Sequence, residues 1–267
     1  PYEPGSTLKP FVAAALLERQ RVRLTDSVVT HNGVYTINGR TIRDVHEARA
    51  LSFAEVIRYS SNIGMVKFVE RLNPREEYEA LRDAGFGMTT GMPYPSEAAG
   101  RLYPVREWSR QSAASLAMGY EISVTPLQLA LAYAAFANGG ELLEPRLLQE
   151  VRAADGTVVW RAQRRVVRRL MSSETAHTMR GLLREVVSEG TATSADLATF
   201  EVAGKSGTAR RTTNDGRGYA AGAYTASFVG LFPADQPQYV ILVKLDNPSG
   251  AYYGGRTAAP VTKVVLE

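Results

Sequence analysis

Three short motifs in the chain carry the residue types that acyl transfer through a serine requires. They are Ser6-Thr7-Leu8-Lys9, Ser60-Ser61-Asn62 and Lys205-Ser206-Gly207-Thr208. A serine hydroxyl is a weak nucleophile until a neighbouring base takes its proton, and a deprotonated lysine is such a base. Residues three apart on a helix share a face, so Ser6 and Lys9 are spaced for this chemistry. The motifs and their order predict a serine nucleophile with lysine as the proton carrier.

The first motif predicts a nucleophile at the start of a helix. Ser6 follows Pro4-Gly5 and precedes an alanine- and leucine-rich run, which places it at an N-cap or in a first turn. The backbone N–H groups and the positive end of the helix dipole then stabilise charge that develops on its oxygen. Lys9 acts as a base only where burial, or a cation such as Lys205, lowers its pKa. The alternative is a serine that only caps a helix.

The other two motifs also have structural alternatives. Ser206 and Thr208 share one face of a predicted strand, where their hydroxyls and the charge of Lys205 can hold a carboxylate. The alternative is an edge strand with a bulge at Gly207. Ser60-Ser61-Asn62 interrupts a helix with poor helix formers, and its alternative is a helix–helix junction. Because all three motifs occur together and in this order, the catalytic interpretation is favoured.

Composition indicates a globular protein and excludes several kinds of site. The chain has 267 residues, of which 45% are hydrophobic and 22% charged, enough for one large domain or two lobes that share a site. It has no cysteine, so disulfides, thiolate metal sites and a cysteine nucleophile are excluded. The three histidines lack metal-binding spacing, and neither a metal nor a cofactor is predicted. The arginine run from Arg161 to Arg169 has no accompanying nucleic-acid motif, and a solvated strand and turn is the favoured interpretation.

Helices are predicted to fill the middle of the chain and strands to cluster near its end, which indicates a mixed α/β fold. Capping signals and periodicity predict helices at Leu8 to Glu18, Ser52 to Ser60, Ile63 to Leu72, Glu76 to Asp83, Leu127 to Ala137, Ser172 to Val187 and Ala258 to Leu266. Strands are predicted at Phe200 to Ala209, Thr225 to Phe232 and Tyr239 to Asp246. Smaller hairpins are predicted within 22–50 and 147–170, and a long loop at 85–110.

The motifs resemble the SxxK, SxN and K(S/T)G signatures of the penicillin-binding protein and serine β-lactamase superfamily. The surrounding sequence resembles class B penicillin-binding proteins, the monofunctional peptidoglycan transpeptidases of division and elongation. The segments that carry this resemblance are Tyr2 to Phe11, Ala117 to Ala130, Ala137 to Gly140, Ala203 to Ala209, Ser227 to Gly230, Tyr253 to Gly255 and Ala258 to Val261. Two departures, Glu121 in place of a usual glycine and a loose stretch at Gly91 to Glu97, are expected to alter loop shape only.

The resemblance implies a catalytic role for three residues. Ser6 would be the acylated nucleophile, Lys9 its base, and Ser60 a relay that passes the proton to the leaving group. The backbone N–H groups of Ser6 and Thr208 would form the oxyanion hole. The implied fold is an antiparallel sheet flanked by helices with a helical lobe, and the site lies in the groove between them.

The resemblance also implies how substrate is bound. Asn62 would hydrogen-bond the donor peptide, and Lys205 would supply positive potential. Ser206 and Thr208 would hold the terminal carboxylate, with Gly207 between them.

The implied reaction is cross-linking of peptidoglycan stem peptides. The serine attacks the D-Ala-D-Ala bond, the last D-Ala leaves, and the acyl group passes to an amine on another strand. β-Lactams mimic that dipeptide and leave a slowly hydrolysed acyl-enzyme. The implied location is the outer face of the cytoplasmic membrane, through an anchor outside this chain. A membrane glycosyltransferase and division or elongation proteins are the implied partners, and nucleic acid is not.

Two other functions remain open. In a DD-carboxypeptidase or β-lactamase, water replaces the acceptor amine; the lack of a Glu-x-x-Leu-Asn segment and the Thr125-Pro126-Leu127-Gln128 region favour the transpeptidase. A non-catalytic β-lactam sensor or a scaffold for division proteins is the other alternative.

The resemblance also predicts what surrounds the site. Class B proteins place a helix and two sheet strands, a pedestal domain and a membrane anchor before the serine motif. None of these is found in the chain, so we expect an uncovered sheet edge and lowered stability. The segment from Asn214 to Gly222 is expected to form a mobile rim over the site, where Tyr219 contacts substrate or only packs. Trp108 is expected to pack in the core or between lobes rather than at the rim.

Overall fold

The computed structural model describes residues 1–213 and 218–267, which form a three-stranded sheet, the helices packed on it and a helical lobe. The described α-helices are α1 Lys9–Glu18, α2 Phe53–Arg58, α3 Asn62–Val69, α4 Pro74–Asp83, α5 Ser112–Ala117, α6 Pro126–Ala137, α7 Ser173–Ser188 and α8 Gly254–Leu266. Short 3-10 turns occur at Gly5–Leu8, His31–Gly33, Val105–Glu107 and Thr193–Ala195. None of the α-helices in these ranges combines the length and apolarity needed to cross a bilayer.

The sheet is antiparallel, with strand order β11-β12-β13, and the other described strands form separate two-stranded pairs. The described strands are β1 Ser27–Val29, β2 Val34–Ile37, β3 Arg40–Arg43, β4 Ala50–Ser52, β5 Arg101–Leu102, β6 Ile122–Ser123, β7 Glu141–Leu143, β8 Glu150–Arg152, β9 Val158–Arg161, β10 Val166–Arg169, β11 Ala203–Thr212, β12 Tyr219–Phe232 and β13 Tyr239–Asp246. The three long strands predicted near the end of the chain are confirmed. β11 both begins and ends later than predicted, and β12 begins earlier, at Tyr219.

Helix α1 lies at the centre of the molecule. Its residues from Lys9 to Leu16 are all buried. Because no face of this part of the helix is exposed to solvent, apolar residues occur all around it and not only along one face. Phe11 contacts Phe86 and Phe136, with ring centroids 5.2 Å and 5.1 Å apart. Because α1 begins just after Ser6, the nucleophile predicted from sequence is anchored to the core.

The predicted helix signals are confirmed with small shifts of their ends. In α6 the Thr125 hydroxyl accepts from the Gln128 N–H at 3.1 Å, and Pro126 occupies the first helical position. Serine side chains cap α3 and α7 in the same manner. Helix α5, whose six residues follow the predicted loop, was not predicted.

The hairpin predictions are confirmed in part. β2 and β3 are joined at Asn38-Gly39, where both residues have positive φ (49° and 77°), as the favoured two-residue hairpin turn requires. β8 and β9 form the hairpin predicted around Asp155-Gly156. β10, however, pairs with β7 rather than within that hairpin. The arginines of this region pair with acidic side chains at the surface, which confirms the solvated-strand interpretation.

Strand β13 forms one edge of the sheet within the described residues, where its only strand partner is β12. The run from Val240 to Lys244 is half-buried. α6 and α8 both contact β13, and no other described strand pairs with its outer edge. The predicted open edge is therefore present in the described chain.

Candidate active site

The first motif folds as a 3-10 turn that runs into α1. Within it the Lys9 N–H donates to the Ser6 carbonyl, and side chains three apart are nearly eclipsed in such a turn. Gly5 has φ +56°, and its N–H donates to the Gly119 carbonyl at 3.0 Å. A Cβ on Gly119 would overlap the Gly5 carbonyl, so the two backbones are in direct contact. Ser6 is thus presented by a turn whose position is set by backbone packing.

The third motif lies against the same turn. A Cβ on Gly207 would stand 2.8 Å from the Pro4 carbonyl oxygen and 2.9 Å from the Thr7 methyl group. A Cβ on Gly5 would stand 3.2 Å from the carbonyl oxygen of Thr208. Glycine at 207 is therefore required by the close approach of the nucleophile turn, as glycine inside a strand indicated. This contact brings Ser6 beside the strand that carries Lys205, Ser206 and Thr208.

The second motif is joined to the first by the Lys9 side chain. Its Nζ lies 2.5 Å from the Ser60 carbonyl oxygen, 3.3 Å from Ser60 Oγ and 2.8 Å from Asn62 Oδ1. Ser60 has φ +58°, a left-handed conformation that is uncommon for serine and is seen at functional sites. Within the ranges that the structure covers, these three contacts are the hydrogen bonds of the Lys9 ammonium, and Ser6 Oγ is not among them.

Two lysines are fully buried at this junction. Burial lowers the pKa of Lys9 to about 7, although the Asp44 carboxylate opposes the shift. Burial, and then the positive charge of Lys9, hold the pKa of Lys205 well below its usual range. A positive charge on either lysine disfavours one on the other, as expected for two cations near each other. A Lys9 amine is therefore available near neutral pH, and burial contributes most to this.

Asp44 holds the second motif in place, and sequence analysis missed it. Its Oδ1 accepts from the backbone N–H groups of Asn62 and Ile63, at 2.5 and 3.1 Å. Its Oδ2 accepts from Ser61 Oγ at 2.5 Å. Asp44 lies 18 residues before Asn62, with β4 and α2 between them, so no spacing rule could have identified it.

The hydroxyls of Ser206 and Thr208 each have a hydrogen-bond partner from another segment of the chain. The Gly254 N–H, at the start of α8, donates to Thr208 Oγ1 at 3.0 Å. Thr191 Oγ1 lies 2.8 Å from Ser206 Oγ, at the end of the connection from α7. Thr191 was not predicted from sequence, because it belongs to none of the three motifs. The face predicted to hold a carboxylate thus carries hydroxyls from two separate segments.

The rim of the site is built on Glu3, which directly precedes Pro4-Gly5. Glu3 Oε1 accepts from the Glu121 N–H at 2.9 Å and from the Tyr219 hydroxyl at 3.4 Å. Burial raises the pKa of the Glu3 carboxyl. Tyr219 also packs edge-on against Tyr120, with centroids 5.7 Å apart. Tyr219 therefore packs at the rim, and contact with substrate stays an open alternative.

Glu121 replaces a usual glycine and has φ +59°, so the backbone keeps the left-handed turn that glycine would adopt. Trp108 packs against Tyr78 and donates from Nε1 to the Tyr103 carbonyl at 2.8 Å, as predicted for a packing tryptophan. Of the predicted rim from Asn214 to Gly222, residues 214–217 lie outside the described residues.

The arrangement can perform proton transfer beside a nucleophile. Lys9, whose pKa is lowered to about 7, bridges the Ser6 turn and the Ser60 hydroxyl, and the strand with Lys205 and two hydroxyls lies on the other side. The roles of Ser6, Lys9, Ser60, Asn62 and of the Lys205 to Thr208 strand stay predictions, since geometry alone does not test them. The backbone N–H groups of Ser6 and Thr208 lie on the two segments that meet at Gly5, and their oxyanion role also stays a prediction.

The sequence matches one family over its whole length. A model of the penicillin-binding protein transpeptidase domain covers residues 1–267. The chain is 36% identical over 267 residues to the probable peptidoglycan D,D-transpeptidase PbpC of Pseudomonas aeruginosa, covering 99% of the chain and 45% of that protein. It is 35% identical over 273 residues to the penicillin-binding protein PbpB of Mycobacterium tuberculosis, covering 98% of the chain and 40% of that protein. The chain thus spans less than half the length of these relatives.

Solved structures show the same fold. The transpeptidase domain of penicillin-binding protein 3 from Burkholderia pseudomallei matches with a TM-score of 0.89 and 35% identity, covering 99% of this chain and 77% of that one. Penicillin-binding protein 3 of Mycobacterium tuberculosis, solved with aztreonam, matches with a TM-score of 0.89 and 33% identity, covering 99% of this chain and 61% of that one. The predicted mixed α/β fold, with a sheet flanked by helices, is confirmed.

Proposed function

This chain belongs to the penicillin-binding protein transpeptidase family, with class B relatives, and on that premise we propose that it is a serine-type peptidoglycan D,D-transpeptidase. The observation that carries the proposal is Lys9. Its ammonium is fully buried, its pKa is lowered to about 7, and it joins the Ser6 turn to Ser60 and Asn62. A lysine held in this state is costly to the fold and useful to an activated serine.

In the acylation step, Ser6 Oγ attacks the carbonyl carbon of the D-Ala-D-Ala bond. The Lys9 amine takes the hydroxyl proton as the new C–O bond forms, and the backbone N–H groups of Ser6 and Thr208 stabilise the oxyanion. The C–N bond then breaks. The proton passes from Lys9 through the Ser60 hydroxyl, 3.3 Å away, to the leaving nitrogen, and D-Ala departs as a neutral amine.

In the transfer step, an amine from another stem peptide attacks the ester carbon. Its proton goes to Lys9 as the C–N bond forms, the ester C–O bond breaks, and Ser6 recovers a proton. Lys9 and Ser60 thus exchange acid and base roles between the two steps, which a pKa near 7 permits. A β-lactam follows only the first step, because its leaving nitrogen stays tethered by the opened ring.

The substrate is placed by its two ends. The terminal carboxylate binds the hydroxyls of Ser206 and Thr208 next to the buried Lys205. Asn62 would bind the donor peptide, and its amide is held in one orientation because Nδ2 donates to the Arg43 carbonyl at 3.0 Å and Oδ1 accepts from Lys9. We propose further that the chain is one transpeptidase domain of a protein of the cell envelope. Its partners would then be a membrane glycosyltransferase and division or elongation proteins.

The proposal is tested with a D-alanyl thioester donor and an added D-amino acid as acceptor amine. We expect mass spectrometry to detect both hydrolysis and transfer, with the transfer product increasing with acceptor concentration. Ser6→Ala abolishes both products, whereas Ser27→Ala, at the surface strand β1, retains both. Hydrolysis without any transfer would favour a carboxypeptidase. No turnover by a folded sample would contradict the proposal and favour a sensor or scaffold.

A further inference from the structure

We propose that Thr191 is a positioning residue that orients the Ser206 hydroxyl toward the terminal carboxylate of the substrate. The inference rests on the proposed function. It is carried by the contact between Thr191 Oγ1 and Ser206 Oγ, which are 2.8 Å apart. Thr191 lies outside the three motifs and reaches the carboxylate-binding face from another part of the chain.

The position of Thr191 is set by its backbone. A Cβ on Gly255 would overlap the Thr191 carbonyl, so the connection after α7 presses directly on the first turn of α8. The Ser194 hydroxyl donates to the Gly255 carbonyl and ties the same two segments together. Thr191 is exposed, and these contacts fix its backbone beside Ser206, which is only 7% exposed.

The direction of the hydrogen bonds gives the contact its function. A serine or threonine hydroxyl has one proton, so it donates either to a protein neighbour or to the ligand. At Thr208 the choice is fixed, because the Gly254 N–H can only donate and Thr208 Oγ1 therefore accepts. The Thr208 proton remains free for the ligand. A Thr191 hydroxyl that donates to Ser206 Oγ produces the same state at Ser206.

A bound carboxylate favours the arrangement in which Ser206 and Thr208 both donate their hydroxyl protons to the ligand. Ser206 and Thr208 are two apart on β11 and share one face, beside the fully buried Lys205. An anion there draws both hydroxyl protons toward itself, and a donor behind each hydroxyl strengthens that bond, since hydrogen bonds in a chain polarise one another. A neutral group draws them less. Thr191 is thus expected to increase the preference for substrates that end in a carboxylate.

The experiment compares two D-alanyl thioesters, one whose leaving group ends in a carboxylate and one that ends in a carboxamide. We expect Thr191→Val, which keeps the shape and removes the hydroxyl, to lower kcat/KM for the carboxylate thioester about tenfold. The ratio of kcat/KM for carboxylate over carboxamide falls by a similar factor. Thr191→Ser keeps a hydroxyl and retains most of the preference. In a Ser206→Ala background, Thr191→Val has little further effect, because the two residues act as one unit.

An equal loss on both thioesters would assign Thr191 a structural role and overturn the inference, as would an unchanged ratio in Thr191→Val. Full additivity of Thr191→Val and Ser206→Ala would also overturn it. A folded wild-type chain that reacts with neither thioester contradicts the proposed function itself. The two failures are therefore distinguishable.

Discussion

At the residue scale, Lys9 sets the pH at which the site works. The proposed base is the neutral amine, and the pKa of Lys9 is lowered to about 7. Acylation by a penicillin is therefore expected to be slow below that pKa, to rise as the pH increases through about 7, and to level off above it. The measurement is the second-order rate constant of acylation between about pH 5 and about pH 9. This range extends about two pH units on each side of the pKa of Lys9. A flat profile would contradict Lys9 as the base.

Asp44 provides a way to move that profile. Its negative charge raises the pKa of Lys9 against the effect of burial. Asp44→Asn removes the charge while its amide oxygen still accepts from the Asn62 and Ile63 N–H groups, so the midpoint should fall to lower pH. Asp155→Asn, in an exposed hairpin turn, is the matched control. A midpoint that stays in place, or that rises, would exclude this electrostatic coupling.

Lys9 also links activity to stability. An ordinary lysine in the unfolded chain is protonated below about pH 10.4. In the fold, burial keeps the amine neutral down to about pH 7, so protonation opposes folding increasingly as the pH falls between these values. Lys9→Met, of similar length and uncharged, should abolish acylation. The wild type should lose stability as the pH is lowered from about 10 to about 7, which are close to the pKa values of Lys9 in the unfolded and folded chain. The melting temperature of Lys9→Met minus that of the wild type should therefore increase over this range. A difference that is constant with pH would contradict this account.

At the element scale, the site depends on backbones packed without side chains between them. Gly119 contacts Gly5, so Gly119→Ala forces a methyl group into the Gly5 carbonyl and moves the loop after α5 away from the Ser6 turn. We expect loss of penicillin acylation together with destabilisation by more than the ~1 kcal/mol typical of alanine at positive φ.

Gly39→Ala is the matched control for this prediction. Gly39 has a similar φ, +77° against +85° at Gly119, but a Cβ there meets nothing within 4 Å. The control therefore has the backbone strain without the collision, and its acylation rate should match that of the wild type. Equal rates for the two variants would show that the contact of the turn does not position Ser6.

At the scale of the whole molecule, the outer edge of β13 has no strand partner among the described residues, and we expect it to pair with a second copy of the chain. Unpaired N–H and C=O groups of an edge strand can pair with another chain, and charged side chains prevent this. Ile241→Lys in β13 should reduce concentration-dependent association in sedimentation experiments. Val264→Lys, on the exposed side of α8, also replaces an apolar side chain but leaves the edge intact, so association should persist. A wild-type chain that is monomeric at every concentration would contradict this prediction.

The catalytic motifs and most of the elements were predictable from sequence because both depend on local rules. The chemistry requires serine, lysine and asparagine at fixed spacing, so the motifs can be read directly. Capping residues such as Thr125-Pro126 mark helix starts, and the predicted and observed first residues of the helices differ by at most four positions. Asp44, Thr191 and the pairing of β7 with β10 were not predictable, because each depends on chain segments that only the fold brings together. The short helix α5 was missed because packing, rather than a periodic pattern, stabilises its six residues.

The most direct test of the central claim is intact-mass analysis of the folded chain after incubation with a penicillin. The account predicts one adduct of the whole drug mass, because the leaving nitrogen stays attached through the opened ring, and it predicts no adduct on Ser6→Ala. A peptide map should place the adduct on Ser6. No adduct on a folded wild-type chain, or an adduct that persists in Ser6→Ala, would contradict the assignment of Ser6 as the nucleophile.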